Sequence, residues 1–173
     1  MIPIHAGFWR RMAAFILDSL LLLVPQMALN VAIGGNIAFL LNIVISAGYF
    51  AGMHASAKQA TVGKMAFGIK VTDMYGARIS VGRATGRYFA TWLSAIILFI
   101  GYFMAAFTDR KRALHDMIAS TLVVDQWAYT AHPERQDPEL GTVTKVIVGI
   151  ALALIVGYFL LIFAAIGLAA MAR

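Results

Sequence analysis

The sequence predicts an α-helical integral membrane protein with three to four membrane helices and a small cytoplasmic β insert, on three observations. Hydrophobic residues make up 61% of the 173-residue chain and charged residues only 13%, about half the charged share of an ordinary globular domain. The apolar residues gather in long runs: no Asp, Glu, Lys or Arg lies between Asp18 and Lys58, between Arg87 and Asp109, or between Lys145 and Arg173. The net charge of +6 is concentrated between these runs and not spread along the chain. The length suits one compact domain, but the runs are too continuous for a single soluble core.

Spanning the hydrocarbon takes about 20 apolar residues. The first run holds two helices, at 9–33 and 37–55, joined by a Gly34-Gly35-Asn36 turn. Arg10-Arg11 ahead of an apolar stretch imitates a signal peptide. Asp18, the length of the run and the lack of a small-x-small cleavage site favour a retained helix. Asp18 sits about two turns inside that helix, where a charged side chain costs roughly 3 kcal/mol or more. Arg11 lies on the same face, about 10 Å away along the axis. Cysteine is absent, which excludes disulfides and thiolate chemistry within the chain and leaves the compartment open.

Lys58, Lys64, Lys70, Arg78, Arg83 and Arg87 follow the second helix, against the single acid Asp73. The positive-inside rule makes this loop cytoplasmic and puts Arg10 and Arg11 on the same side. A basic patch also suits nucleic acid, but this one is juxtamembrane and lacks a nucleic-acid motif. Anionic headgroups are therefore the expected partner, and nucleic acid is not. Within the loop, residues 69–73 alternate as a strand, Met74-Tyr75-Gly76 can turn, and 77–81 can return as a second strand. An isolated hairpin is marginal in water, so a third strand is expected at 121–125, which is β-branched and bounded by Ser120.

That third strand constrains the helical region at 88–107. A full span would carry 121–125 and Arg110-Lys111-Arg112 to the far side, against both the sheet and the charge rule. Re-entry or an interfacial bend, breaking near Gly101, removes both conflicts and is preferred to a simple span. Asp109 is expected to cap a short amphipathic helix through Arg110, Lys111, Arg112, His115 and Asp116, with Arg112 and Asp116 paired four residues apart. The expected domains are a membrane domain at 1–125, an exposed linker at 126–142 and a C-terminal transmembrane anchor at 143–173, its helix at 146–171.

Three segments carry a family resemblance. The first is Ala6-Gly7-Phe8-Trp9-Arg10-Arg11-Met12-Ala13-Ala14-Phe15 followed by Asp18. The second is Gln59-Ala60-Thr61-Val62-Gly63-Lys64, then Gly68, Val71, Asp73, Gly76, Gly82-Arg83-Ala84 and Arg87-Tyr88. The third is Arg112-Ala113-Leu114-His115-Asp116 leading into Ser120-Thr121-Leu122-Val123-Val124. In this order and spacing they resemble the RDD family of membrane proteins, over about residues 6–125. The resemblance maps the family's arginine onto Arg10 or Arg11 and its two aspartates onto Asp18 and Asp116. It implies transport of unidentified ligands, with sodium–proton exchange in some members. Ser120 departs from the family's usual glycine, and the terminal helix lies outside the resemblance.

Asp18, Arg11 and Asp116 are the candidate ligand, ion or proton residues. Arg10, Thr61, Lys64, Arg83, Arg87, Arg112 and His115 are the supporting candidates. Asp18 has three open roles: an ion or proton site, a structural partner for an arginine, or an acid held neutral by burial. A cation site needs several oxygens, to which Ser19, Gln26, Asn30 and Asn42 are the available additions. One of Arg10 and Arg11 is expected to be a headgroup anchor, and Arg11 to reach Asp116 in the re-entrant arrangement. His115-Asp116 lacks an accompanying nucleophile motif and reads as structural. The four histidines show no metal spacing, and Gly63-Lys64 lacks the rest of a phosphate-binding loop. Thr61, Gly63 and Lys64 are expected to end the second helix and pin the loop. Gly48 and Gly52 form a GxxxG pair, with packing inside the chain as the first expectation and dimerisation as the alternative. No enzyme activity, cofactor or metal is expected. The expected function is a small transporter or ion-exchange module, oligomeric because so few helices enclose little space. The alternative is an accessory or assembly subunit of a larger membrane complex. The expected location is a bacterial cytoplasmic (inner) membrane, with the N-terminus and residues 56–87 in the cytoplasm.

Overall fold

A computed structural model describes residues 2–96, 100–108, 110–139, 141–142, 144–150 and 153–154. Two long helices come first, α1 at Phe8–Ala32 and α2 at Gly35–His54, both long and apolar enough to cross a membrane. The 25 residues of α1 extend about 37 Å and the 20 of α2 about 30 Å, which matches a hydrocarbon core of about 30 Å. Leu20, Leu21, Leu23, Val24, Met27 and Val31 of α1 are exposed, as are Ile37, Phe39, Leu40, Leu41, Val44 and Ile45 of α2. Such an outward apolar surface fits lipid or another membrane helix, not water. The expected turn forms where Gly34 and Gly35 adopt φ of +66° and +59°. Between the helices Gln26 donates to Ser46 Oγ at 2.8 Å and Asn42 to Asn30 Oδ1 at 3.1 Å. Interhelical hydrogen bonds of this kind contribute about 0.6 kcal/mol on average.

Among the described residues the GxxxG pair does not pack inside the chain as first expected. Both glycines are exposed, and a Cβ built on either meets nothing within 4 Å among the described residues. The contacts of α1 with α2 run through other residues, Ala38 and Ala51 being the apolar ones that α2 buries.

A smaller set of elements, the cap, follows the spans and packs against them. It contains α3 at Val62–Ala66, β1 at Ile69–Asp73, α4 at Val81–Ile96, α5 at Ile100–Phe107, α6 at Leu114–Ile118 and β2 at Thr121–Asp125, with α4 lying against α2. β1 and β2 pair antiparallel with Val71 opposite Val123, and Ile69, Val71, Leu122, Val123 and Val124 are almost completely buried. The expected hairpin is not formed, and the sheet has two strands, not three. The reason lies in Asp73. Its carboxylate takes the N–H groups of Tyr75 and Ala77, each at 2.8 Å, and closes a side-chain turn in place of a returning strand. Ser80 then accepts the Arg83 N–H at 3.2 Å and starts α4 one residue later. The free edge of β2 is covered by the N-terminal segment: Ala6 N–H reaches Val123 O, and Asp125 N–H reaches Ile4 O, both at 2.9 Å.

Because β1 and β2 are neighbours, the chain between them leaves and returns on the same side of any bilayer. The helical region expected at 88–107 is described in two pieces, α4 and α5, of 16 and 8 residues, and 97–99 lie outside the described residues. Tyr88 of α4 stacks on Phe50 of α2 with ring centroids 6.0 Å apart. The amphipathic helix expected from Asp109 starts later. Asp109 lies outside the described residues, 111–113 are non-helical, and Ala113 is the N-cap of α6. Thr108 accounts for the delay, since its hydroxyl accepts the Arg112 N–H at 2.7 Å and donates to Arg112 O at 3.0 Å. Ser120, between α6 and β2, has φ +50°, a left-handed conformation that explains why glycine suits this position.

Residues 1–139 form one compact unit and 140–173 a second. The segment expected as a linker is tied into the first unit up to residue 139. Arg135 lies over the Trp127 ring at 5.0 Å, and the Gln136 side chain accepts the Ile4 N–H at 2.7 Å. In the second unit, residues 144–150 and 153–154 are helical. The rest of the anchor expected at 146–171 lies outside the described residues.

Candidate functional site

Asp18 is completely buried on α1. Three donors converge on its carboxyl: Thr61 Oγ1 at 2.6 Å on Oδ2, and Tyr49 OH and Gly63 N–H, each at 2.7 Å, on Oδ1. The cradle is built by the start of α3. Thr61 is its N-cap, accepting the Lys64 N–H at 3.3 Å and satisfying one orphan donor of the first turn. The Val62 N–H points to Tyr49 OH at 3.1 Å, so the phenol accepts from α3 and donates its own hydrogen bond to Asp18. Only glycine fits at 63, where a Cβ would lie 2.1 Å from Ala14 O and 2.8 Å from Asp18 Cγ. α3 is therefore seated directly on α1, with a carboxyl at the positive end of its peptide dipoles.

No arginine pairs with Asp18 among the described residues, so the arginine partner considered for it is replaced by two hydroxyls and an amide. The added oxygens do not join it either. Ser19 bonds back to Phe15 O at 2.8 Å, while Gln26, Asn30 and Asn42 are used between the spans.

Asp116, at the start of α6, is equally buried but gathers charge. Arg11 Nη1 pairs with Oδ2, and Arg87 reaches Oδ1 through Nη2 at 2.7 Å and Nε at 3.1 Å. The Ala113 N–H adds a bond to Oδ2 at 3.0 Å. Burial pushes this carboxyl up, but the Arg11 and Arg87 guanidiniums prevail and hold it well below the usual carboxylate range. His115 Nε2 stands 3.6 Å from Oδ1. Burial drives His115 down to about 3 against the pull of Asp116, with Arg87 and Arg11 reinforcing the effect, so the imidazole is neutral at pH 7. Arg112 does not pair with the carboxylate as expected: its Nη2 lies 3.5 Å from Asp116 O.

Arg10 is no headgroup anchor, and neither is Arg11. Arg10 Nη2 donates to Phe67 O at 2.8 Å, Gly68 O at 3.3 Å and Asp125 Oδ2 at 3.2 Å, while Nη1 reaches Asp137 O at 3.0 Å. It clasps the α3–β1 corner and the end of β2 to the first turn of α1. Lys64, also buried, lies between the two carboxylates electrostatically. Burial and then Arg87 lower its ammonium to about 7, with Asp18 acting against them. Arg83 is exposed in the first turn of α4 and stands apart from the cluster.

The structure thus brings Arg11, Arg87, His115 and Asp116 together and gathers Asp18 with Thr61. It adds Tyr49, His54 and Asp125, which sequence reasoning missed. His54 Nδ1 faces Arg87 Nη1 at 3.5 Å, and its signal was legible as the one titratable side chain between Asp18 and Lys58 other than Tyr49. Tyr49 and Asp125 offered no local signal, because their partners are 31 and 115 residues away.

The model of the RDD family matches residues 5–120. The chain is 37% identical over 146 residues to "Uncharacterized protein YxaI" of Bacillus subtilis (strain 168), covering 69% of this chain and 96% of that protein. It is 31% identical over 144 residues to "Uncharacterized membrane protein YteJ" of the same organism, covering 72% of this chain and 84% of that one. No solved structure matches. With the family match over most of its length and two helices fit to span a bilayer, the chain belongs to the RDD family and is a membrane protein.

Proposed function

We propose that the chain is a non-enzymatic assembly module of a bacterial cytoplasmic membrane, bound through its spans to a larger membrane protein or to further copies of itself. The observation that carries this reading is the saturation of both carboxyls. Asp18 already receives three donors, and Asp116 receives two guanidiniums and an amide. An exchanging cation would have to displace the Gly63 N–H, a fixed positive dipole aimed at the same oxygen. The exposed Gly48–Gly52 face and the bare apolar sides of α1 and α2 give a partner helix room to approach. In this reading the cap and residues 56–87 face the cytoplasm, as the basic loop requires.

A second reading, a proton-linked ion exchanger, is favoured by one observation. Lys64 changes charge near neutral pH beside both aspartates, as a proton-carrying group of an exchanger would. Two measurements on the purified chain separate the readings. The assembly reading expects a stoichiometric complex by native mass spectrometry in mild detergent, and no sodium- or proton-coupled flux in proteoliposomes. Flux in the wild type that is lost in folded Lys64→Met and Asp18→Asn overturns it in favour of exchange.

A further inference from the structure

A basin of about 370 Å³ opens beside the end of α2, between the 57–60 segment, α3 and the outer edge of β1. Its volume lies within the about 300–1,000 Å³ of small-molecule sites. Lys58, Lys70, Gln59 and Gln126 supply its polar wall, and Met65 and Ile69 part of its apolar floor. No acid lines it. The nearest counter-charge to Lys70 is Asp125, whose carboxylate is already engaged by Arg10 and the Trp127 N–H. Lys70 is half-buried and its ammonium is lowered by desolvation, so it lacks part of its hydration and gains from an anion.

The backbone contributes as well. The Val71 N–H and C=O face residue 59, bonding Gln59 O at 2.7 Å and the Gln59 amide at 3.2 Å. Strand alternation turns the Ile69 N–H to the same edge, away from β2. The basin therefore presents two ammonium groups, two side-chain amides and a strand-edge amide over an apolar floor. It begins two residues after the Ala55 cap of α2, which puts it at the level where lipid headgroups meet the spans.

We propose that this basin binds an anionic phosphate group, as a phosphodiester lipid headgroup or as free phosphate. Two lysines neutralise the charge, and the amides orient the oxygens. The site is separate from both carboxylate clusters and does not depend on the assembly reading.

The test uses the full chain in nanodiscs of phosphatidylcholine doped with phosphatidylglycerol, with lipid retention read by native mass spectrometry. A parallel arm contains phosphatidylcholine only with added inorganic phosphate, read by phosphorus NMR line broadening. The wild type retains phosphatidylglycerol over phosphatidylcholine, or broadens the phosphate line, and the arm that responds names the source. K58Q/K70Q weakens the response by about thirtyfold, as expected for two lysines at a membrane surface. Q126L weakens it without changing the charge. R78Q/R110Q, an equal charge loss at exposed positions outside the basin, leaves it intact. No response in either arm overturns the proposal. So does an equal response in K58Q/K70Q and wild type, or an equal loss in R78Q/R110Q, which would make the attraction diffuse.

Discussion

At the Asp18 cradle every donor is neutral: a threonine, a tyrosine and a backbone amide. At the Asp116 cluster two of the three groups on the carboxylate are guanidiniums. The difference follows from position. Asp18 lies deeper along α1, where neutral polar groups of α2 and the start of α3 reach it. Asp116 lies at the level of the first turn of α1, where Arg11 and Arg87 bring long, charged side chains. One region is held by shape and close approach, the other by charge. Both fasten the cap to the spans, α3 to α1 in the first case and α6 to α1 and α4 in the second.

The comparison breaks most visibly at the charged site. Asp116→Ala strands Arg11 and Arg87 without their shared partner, and a broken buried pair costs about 3–5 kcal/mol. Unfolding in mixed micelles is expected to show that loss, or the folded yield to collapse. Gly63→Ala tests the site held by shape. The new Cβ meets the Ala14 carbonyl and Asp18 itself, and overpacking of this kind costs about 1–3 kcal/mol. Its signature is a loss of stability that does not change with salt.

Acidity sharpens the contrast further. His115 has its folded value depressed to about 3, so its contribution is complete above the unfolded value near 6.5 and is lost as pH falls towards 3. Lys64 is depressed to about 7, so stability climbs as pH rises from 7 to the unfolded value near 10.5. Each limb has a slope of at most about 1.4 kcal/mol per pH unit. His115→Gln is expected to flatten the acid limb and Lys64→Met the alkaline one. Asp116 contributes fully above its unfolded value of 3.8 and loses that contribution progressively as pH falls below it, because its folded value is depressed as well.

The smallest expected effect is a coupling energy. Arg11 and Asp18 share α1 but no hydrogen-bond partner. A double-mutant cycle between Arg11→Ala and Asp18→Ala is expected to be additive to within about 0.5 kcal/mol. The cycle between Arg11→Ala and Asp116→Ala is not, since these two residues are direct partners.

Much of the fold was legible because the physics that sets it is local. Uncharged runs gave α1 and α2, Gly34-Gly35 gave their turn, alternation gave β1, and β-branched residues gave β2. The conflict between a pairing of 69–73 with 121–125 and a third full span was also legible, and that pairing is present. The false hairpin arose from reading Gly76 as a strand-returning turn. Asp73 captures the Tyr75 amide of the turn and the Ala77 amide that opens the return strand, and alternation at 77–81 carries no sign of that. Within the site, the Arg11–Asp116 contact followed from topology. The Asp18 cradle did not, because the motif around Thr61 and Gly63 gives no indication that its N–H groups point at another helix.

In the proposed assembly module Asp18 is a fastener and not an ion site. Thermal unfolding of the purified chain in sodium chloride and in choline chloride, at equal ionic strength, tests this most directly. A bound ion stabilises the folded state in proportion to the logarithm of its concentration. Equal unfolding temperatures in the two salts, for wild type and for Asp18→Asn alike, are the expected result. A sodium-specific stabilisation that disappears in Asp18→Asn would contradict the account.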